Sequence, residues 1–310
     1  MCNIWKSPAP DEMEPKHYEK LPHSLKTINI TGGEPFLRKD LVDVLKAVHS
    51  SAPSSRIVFS TNGFLTETIL KTISEIQSFH DAIGVGVSID GLEEVHDKVR
   101  GSAGAFRKAV STVEGLKRLG LKDLRVGTTL TQENVGDVKS VFDLSRKLGV
   151  EFSVTFAHNS EIYFQKTDNT PPELAGASGL PLSEVLESQL MSRSVKDWFR
   201  AYHVQGIMDP ELRHEFVSQC KAGSRYFFVS PSGDVYPCMV MDMRIGNLRD
   251  ATSWDELFSS EAVARTLHAV RNCSQDCWMV CNTRSHIISH PVRAGSWVVK
   301  NKLKAHMHKR

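Results

Sequence analysis

The chain has 310 residues, of which 40% are hydrophobic and 24% charged, and it carries a formal net charge of +2. This is the balance of a globular protein of about two ordinary domains, and it excludes a disordered chain. No apolar run approaches the roughly 20 residues that span a bilayer, and the opening residues lack the apolar stretch of a signal peptide. The expected compartment is therefore the cytoplasm, where thiols stay reduced, and no membrane partner is expected. Seven Lys or Arg and no acidic residue follow Cys281, which leaves 31 basic against 36 acidic residues up to that point. A mildly acidic body is a poor nucleic-acid surface, so no nucleic-acid partner is expected. The basic end reads as a solvated, frayed terminus.

From the N-terminal side, short β-branched runs alternate with amphipathic stretches. Strands are predicted over 25–30, 56–60, 83–89, 124–130 and 150–156, with helices over 39–50, 66–78, 106–119 and 135–148. Leu41, Val44, Leu45 and Val48 recur at spacings of three and four, which puts them on one helix face. Gly120 and Gly149 stand where helix C-termini are commonly capped. Repeated β-α units imply a parallel sheet or barrel with right-handed crossovers. The rhythm breaks over 157–217, where Asn169-Thr170-Pro171-Pro172 and Gly176-Ala177-Ser178-Gly179 are loop-like. Helices are predicted there near 182–189 and 195–202.

Three patterns carry chemistry. Thr31-Gly32-Gly33-Glu34-Pro35 directly follows a predicted strand. Two glycines let backbone approach a ligand closely, and the carboxylate can accept hydrogen bonds from an ammonium group. A plain strand-to-helix turn would look similar. Ser88-Ile89-Asp90-Gly91 closes another strand, with Ser88 and Asp90 on one side by alternation. Ser60-Thr61-Asn62-Gly63 repeats the arrangement one strand earlier. In parallel β/α folds such strand ends form the active face. Gly84 and Gly86 do not make a dinucleotide loop, because the third glycine is missing and both lie inside the strand. After the last strand, Ala157-His158-Asn159-Ser160-Glu161 is either a substrate contact or a loop that supplies its own hydrogen bonds.

The third pattern is made of cysteines. Cys2 stands alone, while Cys220, Cys238, Cys273, Cys277 and Cys281 crowd the last third. In a reduced compartment such clustering points to metal and away from disulfides. Cys220 is followed after twelve residues by Gly233 and after four more by Cys238, with a hairpin turn predicted at Ser230-Pro231-Ser232-Gly233-Asp234. Tetrathiolate sites suit zinc or an iron–sulfur cluster.

Taken in order, Met1-Cys2-Asn3-Ile4-Trp5, TGGEPFLR at 31–38, STNG at 60–63, VSIDG at 87–91 with HDKVRG at 96–101, and C-x12-G-x4-C resemble the radical S-adenosylmethionine (SAM) superfamily. The C-terminal part resembles its SPASM/twitch branch. The resemblance implies an α/β fold: a partial (β/α)6 radical SAM barrel over 1–160 with its first strand missing. It further implies a helical bridge over 161–217, a SPASM/twitch-like auxiliary-cluster domain over 218–285 and a basic tail over 286–310. Members hold a catalytic 4Fe–4S cluster with C-x3-C-x2-C, and Cys2 matches the last of those cysteines. Gly32, Gly33 and Glu34 match the motif that receives the SAM amino group. Ser88 and Arg100 match positions that contact its ribose and carboxylate, with Asn62 and Asp90 as candidates for the same pocket. Without the motif, Arg100 reads as a surface arginine before a helix. Cys220 and Cys238 match two ligands of an auxiliary 4Fe–4S cluster, with two more among Cys273, Cys277 and Cys281, and Trp278 is expected to shield it.

The chemistry that follows is reductive cleavage of SAM to methionine and a 5′-deoxyadenosyl radical, which takes hydrogen from a peptide or small biosynthetic intermediate. Flavodoxin or ferredoxin is the expected electron donor. The chain begins one residue before Cys2, so it reads as N-terminally truncated and, as written, inactive and prone to pair through a bare strand edge. Five C-terminal cysteines, where the full pattern has seven, imply one auxiliary cluster. Met239 stands where sulfatase maturases place a catalytic carboxylate, which argues against that chemistry. The alternative reading is a catalytically dead barrel with a structural zinc-binding interaction domain.

Overall fold

The computed structural model describes residues 2–6, 11–174, 176–217, 219–275 and 277–307. Its first half is a single parallel sheet whose strands follow chain order: β1 (Thr27–Ile30), β2 (Arg56–Thr61), β3 (Ile83–Ser88), β4 (Asp123–Leu130) and β5 (Glu151–Phe156). These agree with the sequence expectation to within two residues at each end. Asn29, Val58, Gly84 and Asp123 lie side by side across four strands, and Ser88 lies beside Gly127. Between strands run α1 (Leu41–Ser51), α2 (Thr66–Gln77), α3 (Glu93–Arg100), α4 (Ala105–Arg118) and α5 (Val138–Leu148). The sequence reading contains no counterpart of α3.

Burial explains the pattern. In β4, Leu124, Val126, Thr128 and Leu130 are buried while Asp123, Arg125, Gly127 and Thr129 are half-buried, and β5 alternates in the same way. One sheet face therefore packs under the helices and the other lines a more polar interior. β3, the middle strand, is buried along its whole length except at Ser88. Its glycines make room for neighbours: a Cβ at Gly84 would come within 2.6 Å of Asp123 Oδ2, and one at Gly86 within 2.9 Å of Arg125 Nε. The rejection of a dinucleotide loop agrees with this placement.

Beyond β5, α6 (Leu180–Met191), α7 (Val195–Met208) and α8 (Pro210–Val217) lead to a three-stranded antiparallel sheet. Its strands are short, β6 (Phe228–Val229), β7 (Asp234–Tyr236) and β8 (Gly246–Asn247). The helices α9 (Trp254–Phe258), α10 (Glu261–Arg271), α11 (Val280–Ser289) and α12 (Pro291–Met307) complete the described chain. Trp278 is fully buried, donates from its indole to the His203 carbonyl at 2.7 Å, and lies so close to Gly206 that a Cβ there would overlap the ring.

The basic end is not a solvated, frayed terminus up to Met307. It forms α12, which packs on α6 and α7 and buries Ala294, Val298 and Ala305. Lys302 donates to the carbonyls of Leu190 and Ser192 at 2.7 and 3.0 Å, which closes the end of α6. Apolar burial holds this helix, and its lysines only coat it.

Candidate active site

The ends of β1, β2 and β3 meet at Glu34. Its carboxylate accepts hydrogen bonds from Thr61 Oγ1 at 2.8 Å, the Asn62 amide at 2.8 Å and the Phe36 amide at 3.4 Å. These donors tie the turn after β1 to the end of β2. Burial nonetheless pushes the Glu34 carboxyl above the usual carboxylate range, against those hydrogen bonds and the pull of Arg100. Glu34 makes no ion pair within the described residues. Gly32 has φ of +146°, a conformation that side-chain-bearing residues rarely adopt, while a Cβ there would meet nothing within 4 Å. The torsion, not lack of space, requires glycine at that point. Asn62 is half-buried and its side chain accepts from the Phe64 amide at 2.8 Å, so its role in the turn is to shape backbone.

Arg100 reaches this centre from the last turn of α3. One of its terminal nitrogens lies 2.6 Å from Asp90 Oδ2, and Asp90 is wholly buried. The other carboxylate oxygen of Asp90 accepts from the Thr129 amide at 2.8 Å. Asp90 thus stands behind Arg100 and acts on the pocket through it. Arg100 Nε is buried with no hydrogen-bond partner among the described residues. Ser88 ends β3 half-buried, and Gly33 is exposed at the rim.

His96, which opens the HDKVRG stretch but has no role in the sequence reading, locks this corner. It is fully buried, and its Nδ1 accepts from the Asp90 amide at 2.9 Å, which assigns the proton to Nε2. Burial, then the neighbouring Arg100, pulls it down from the usual 6.5 to about 4. A histidine held neutral contributes its full stability above pH 6.5 and loses it as pH falls toward 4. The gap is worth at most about 3 kcal/mol. Thermal melts from pH 7 to 4.5 are therefore expected to fall more steeply for the parent than for His96→Asn. Parallel profiles would remove His96 from the acid response.

Cys2 lies at the same face. The Asn3 amide donates to the Phe164 carbonyl at 2.8 Å, and Cys2 is close enough to Tyr163 to raise the proton affinity of its phenol. Of the polar run after β5, the side chains of His158, Asn159 and Ser160 turn inward while Glu161 is exposed. His158 Nε2 accepts from the Trp278 amide, Asn159 exchanges hydrogen bonds with Asn169, and Ser160 donates to the Met239 carbonyl. The loop largely satisfies itself.

A second constellation gathers the five C-terminal cysteines. All are half-buried and free of disulfides. Burial, then Cys220, Cys238, Cys281 and Cys273, pushes the Cys277 thiol far above its usual range, and burial carries Cys281 up to about 12. Cys238 is raised chiefly by burial, with Cys220 and Cys273 adding to it. Polar groups converge on the sulfurs: Tyr226 Oη lies 3.1 Å from Cys220, Asn282 donates to Cys277 at 3.1 Å, and the Met241 amide donates to Cys238 at 3.3 Å. Among the described residues no three His, Cys, Asp or Glu side chains form a site for a single metal ion. Crowded, desolvated thiols with hydrogen-bond donors aimed at sulfur suit a thiolate-ligated centre, where positive iron offsets their repulsion.

Residues 3–145 match the Radical SAM superfamily, and residues 220–282 match SPASM, an iron-sulfur cluster-binding domain. The chain belongs to the radical SAM superfamily, in the branch that carries a SPASM domain. It is 27% identical over 263 residues to an AdoMet-dependent heme synthase of Methanosarcina barkeri, covering 80% of this chain and 72% of that one. It is 29% identical over 226 residues to the mycofactocin maturase MftC of Mycolicibacterium smegmatis, covering 68% of this chain and 51% of the relative. The chain thus spans about half to three quarters of these relatives. In fold it is similar to anSMEcpe with bound AdoMet, at a TM-score of 0.55 and 15% identity, with 96% of this chain and 90% of that one covered. No helix among the described residues is long and apolar enough to cross a membrane.

Proposed function

We propose that this protein is a cytoplasmic radical SAM enzyme that modifies a peptide or a small biosynthetic intermediate, with flavodoxin or ferredoxin as electron donor. The observation that carries the reading is that Glu34 and Arg100 lie within electrostatic reach of each other without forming an ion pair. A carboxylate raised by burial and without an ion pair invites a cation, and a buried guanidinium nitrogen without a partner invites an anion. Side by side they complement the zwitterionic head of an amino acid, which SAM carries. Bound together, SAM and a reduced iron–sulfur cluster supply a 5′-deoxyadenosyl radical that takes hydrogen from the substrate. Glu34 would receive the ammonium, Arg100 the carboxylate and Ser88 the ribose, while the turn at Gly32 and Gly33 lets backbone close on the head group. Cys2 would donate one thiolate to the catalytic cluster. The five C-terminal cysteines would hold the auxiliary one.

The relatives support the substrate class only broadly, since one is named for heme and another for mycofactocin. The test is an anaerobic assay, with iron, sulfide, dithionite and SAM, of the protein extended upstream so that Cys2 completes a C-x3-C-x2-C motif (the parent in the SAM tests below). Release of 5′-deoxyadenosine and methionine is expected. Protein that binds iron and sulfide yet forms neither product would overturn the reading.

A further inference from the structure

Nothing in the chemistry above uses Tyr163, yet it contacts both the turn after β1 and β6 of the cysteine domain. It lies on the loop after β5, 132 positions from Thr31 in sequence. Its Oη is 2.6 Å from Thr31 Oγ1, and either hydroxyl can donate. The ring packs edge-on against Phe164, with centroids 4.7 Å apart, and against Phe228 of β6 at 5.5 Å. The loop itself is closed by paired backbone hydrogen bonds between Ser160 and Lys166 at 2.9 and 3.1 Å. Ser160 Oγ accepts from the Tyr163 amide at 3.0 Å and donates to the Met239 carbonyl at 2.5 Å, one residue past Cys238. A continuous chain of contacts therefore runs from the cysteine domain through Ser160 and Tyr163 to Thr31, the residue before Gly32.

We infer that Tyr163 is a positioning residue that sets the Thr31-Gly32 turn for the amino-acid head of SAM, and that the cysteine domain holds it there. This rests on the proposed function. The turn needs such a brace because Gly32 sits at a torsion that no Cβ restrains, so an unbraced turn has many alternative conformations. A purely packing role would use the ring; a positioning role uses the hydroxyl.

Tyr163→Phe separates the two, since it keeps the ring between Phe164 and Phe228. The expected result is SAM affinity weakened roughly tenfold, the usual effect of losing one such hydrogen bond. Melting temperature and bound iron should stay at parental values. In the cofactor-free protein the amides of residues 32 and 33 should exchange with solvent faster in Tyr163→Phe than in the parent, a local signature that packing alone would not move. Thr31→Ser, which keeps the hydroxyl, should bind like the parent, and Thr31→Val should bind like Tyr163→Phe. If Tyr163→Phe loses iron or fails to fold, Thr31→Val against Thr31→Ser decides the same question with the tyrosine in place. Parental affinity and slow exchange in Tyr163→Phe, with a parent that binds SAM, would overturn this inference alone. A parent loaded with iron that binds no SAM would overturn the proposed function and this inference with it.

Discussion

Replacing Cys220 or Cys238 with alanine is expected to empty the C-terminal domain of iron and to unfold it. The domain has little regular secondary structure of its own, although Val235, Leu248 and Trp278 join the main core. Its sheet is built from strands of two, three and two residues, far short of what stands alone in water. Burial, and then the neighbouring thiols, makes Cys277 and Cys281 cling to their protons, so the metal-free state carries either repulsion or buried neutral thiols. Binding of a metal centre replaces those protons and couples ligation to folding, on the order of 10 kcal/mol for structural zinc in small domains. One missing thiolate leaves a ligation site open and the opposing hydrogen bonds, from Tyr226 to Cys220 or from the Met241 amide to Cys238, without their sulfur. Iron and acid-labile sulfide per chain, together with hydrogen exchange across β6 to β8, measure the effect. Cys2→Ala is the control, because Cys2 lies at the barrel face. Parental iron in both C-terminal variants would end the ligand assignment, and zinc without sulfide in the parent would favour a structural zinc domain.

The strands were legible in two ways: Ile57-Val58-Phe59 reads as a short continuous apolar run buried on both faces, while β4 and β5 alternate apolar with polar residues. The helix α3 was not, since Glu93-Glu94-Val95-His96-Asp97-Lys98-Val99-Arg100 offers only two aliphatic residues to a periodicity search. It nevertheless supplies both Arg100 and His96. Alternation grouped Ser88 with Asp90, but β3 ends at Ser88 and alternation says nothing of depth; Asp90 proved to be the buried counter-ion of Arg100. The basic end misled for a related reason. Charge dominated the composition, while the burial of Ala294, Val298 and Ala305 depends on α6 and α7, which lie about a hundred residues away. Tyr163 illustrates the limit most clearly. Its partner Thr31 belongs to a motif that sequence reveals at once, yet no local signal joins the two.

Glu34→Gln and Arg100→Ala are each expected to weaken SAM binding ten- to a hundredfold, since hydrogen bonds to charged groups contribute about 1.5–3 kcal/mol. The two variants should differ in stability, and that difference tests the geometry. Burial raises the Glu34 carboxyl, so its folded pKa lies above the unfolded one and the ionised form is disfavoured by the fold. The charge therefore costs stability as pH rises through the carboxylate range, and removing it should leave the melting temperature at neutral pH unchanged or slightly higher. Arg100 has the opposite character. Its removal strands the carboxylate of Asp90, which is wholly buried and keeps only the Thr129 amide as a hydrogen-bond donor. Breaking a buried pair on one side costs about 3–5 kcal/mol, so Arg100→Ala should melt markedly lower even without ligand. Saturating SAM should raise the melting temperature of the parent, because a ligand that binds only the folded state stabilises it by mass action. The same concentration should do little for either variant. An Arg100→Ala protein that melts with the parent would show that Asp90 does not depend on Arg100. A Glu34→Gln protein stabilised by SAM as strongly as the parent would place the ammonium elsewhere.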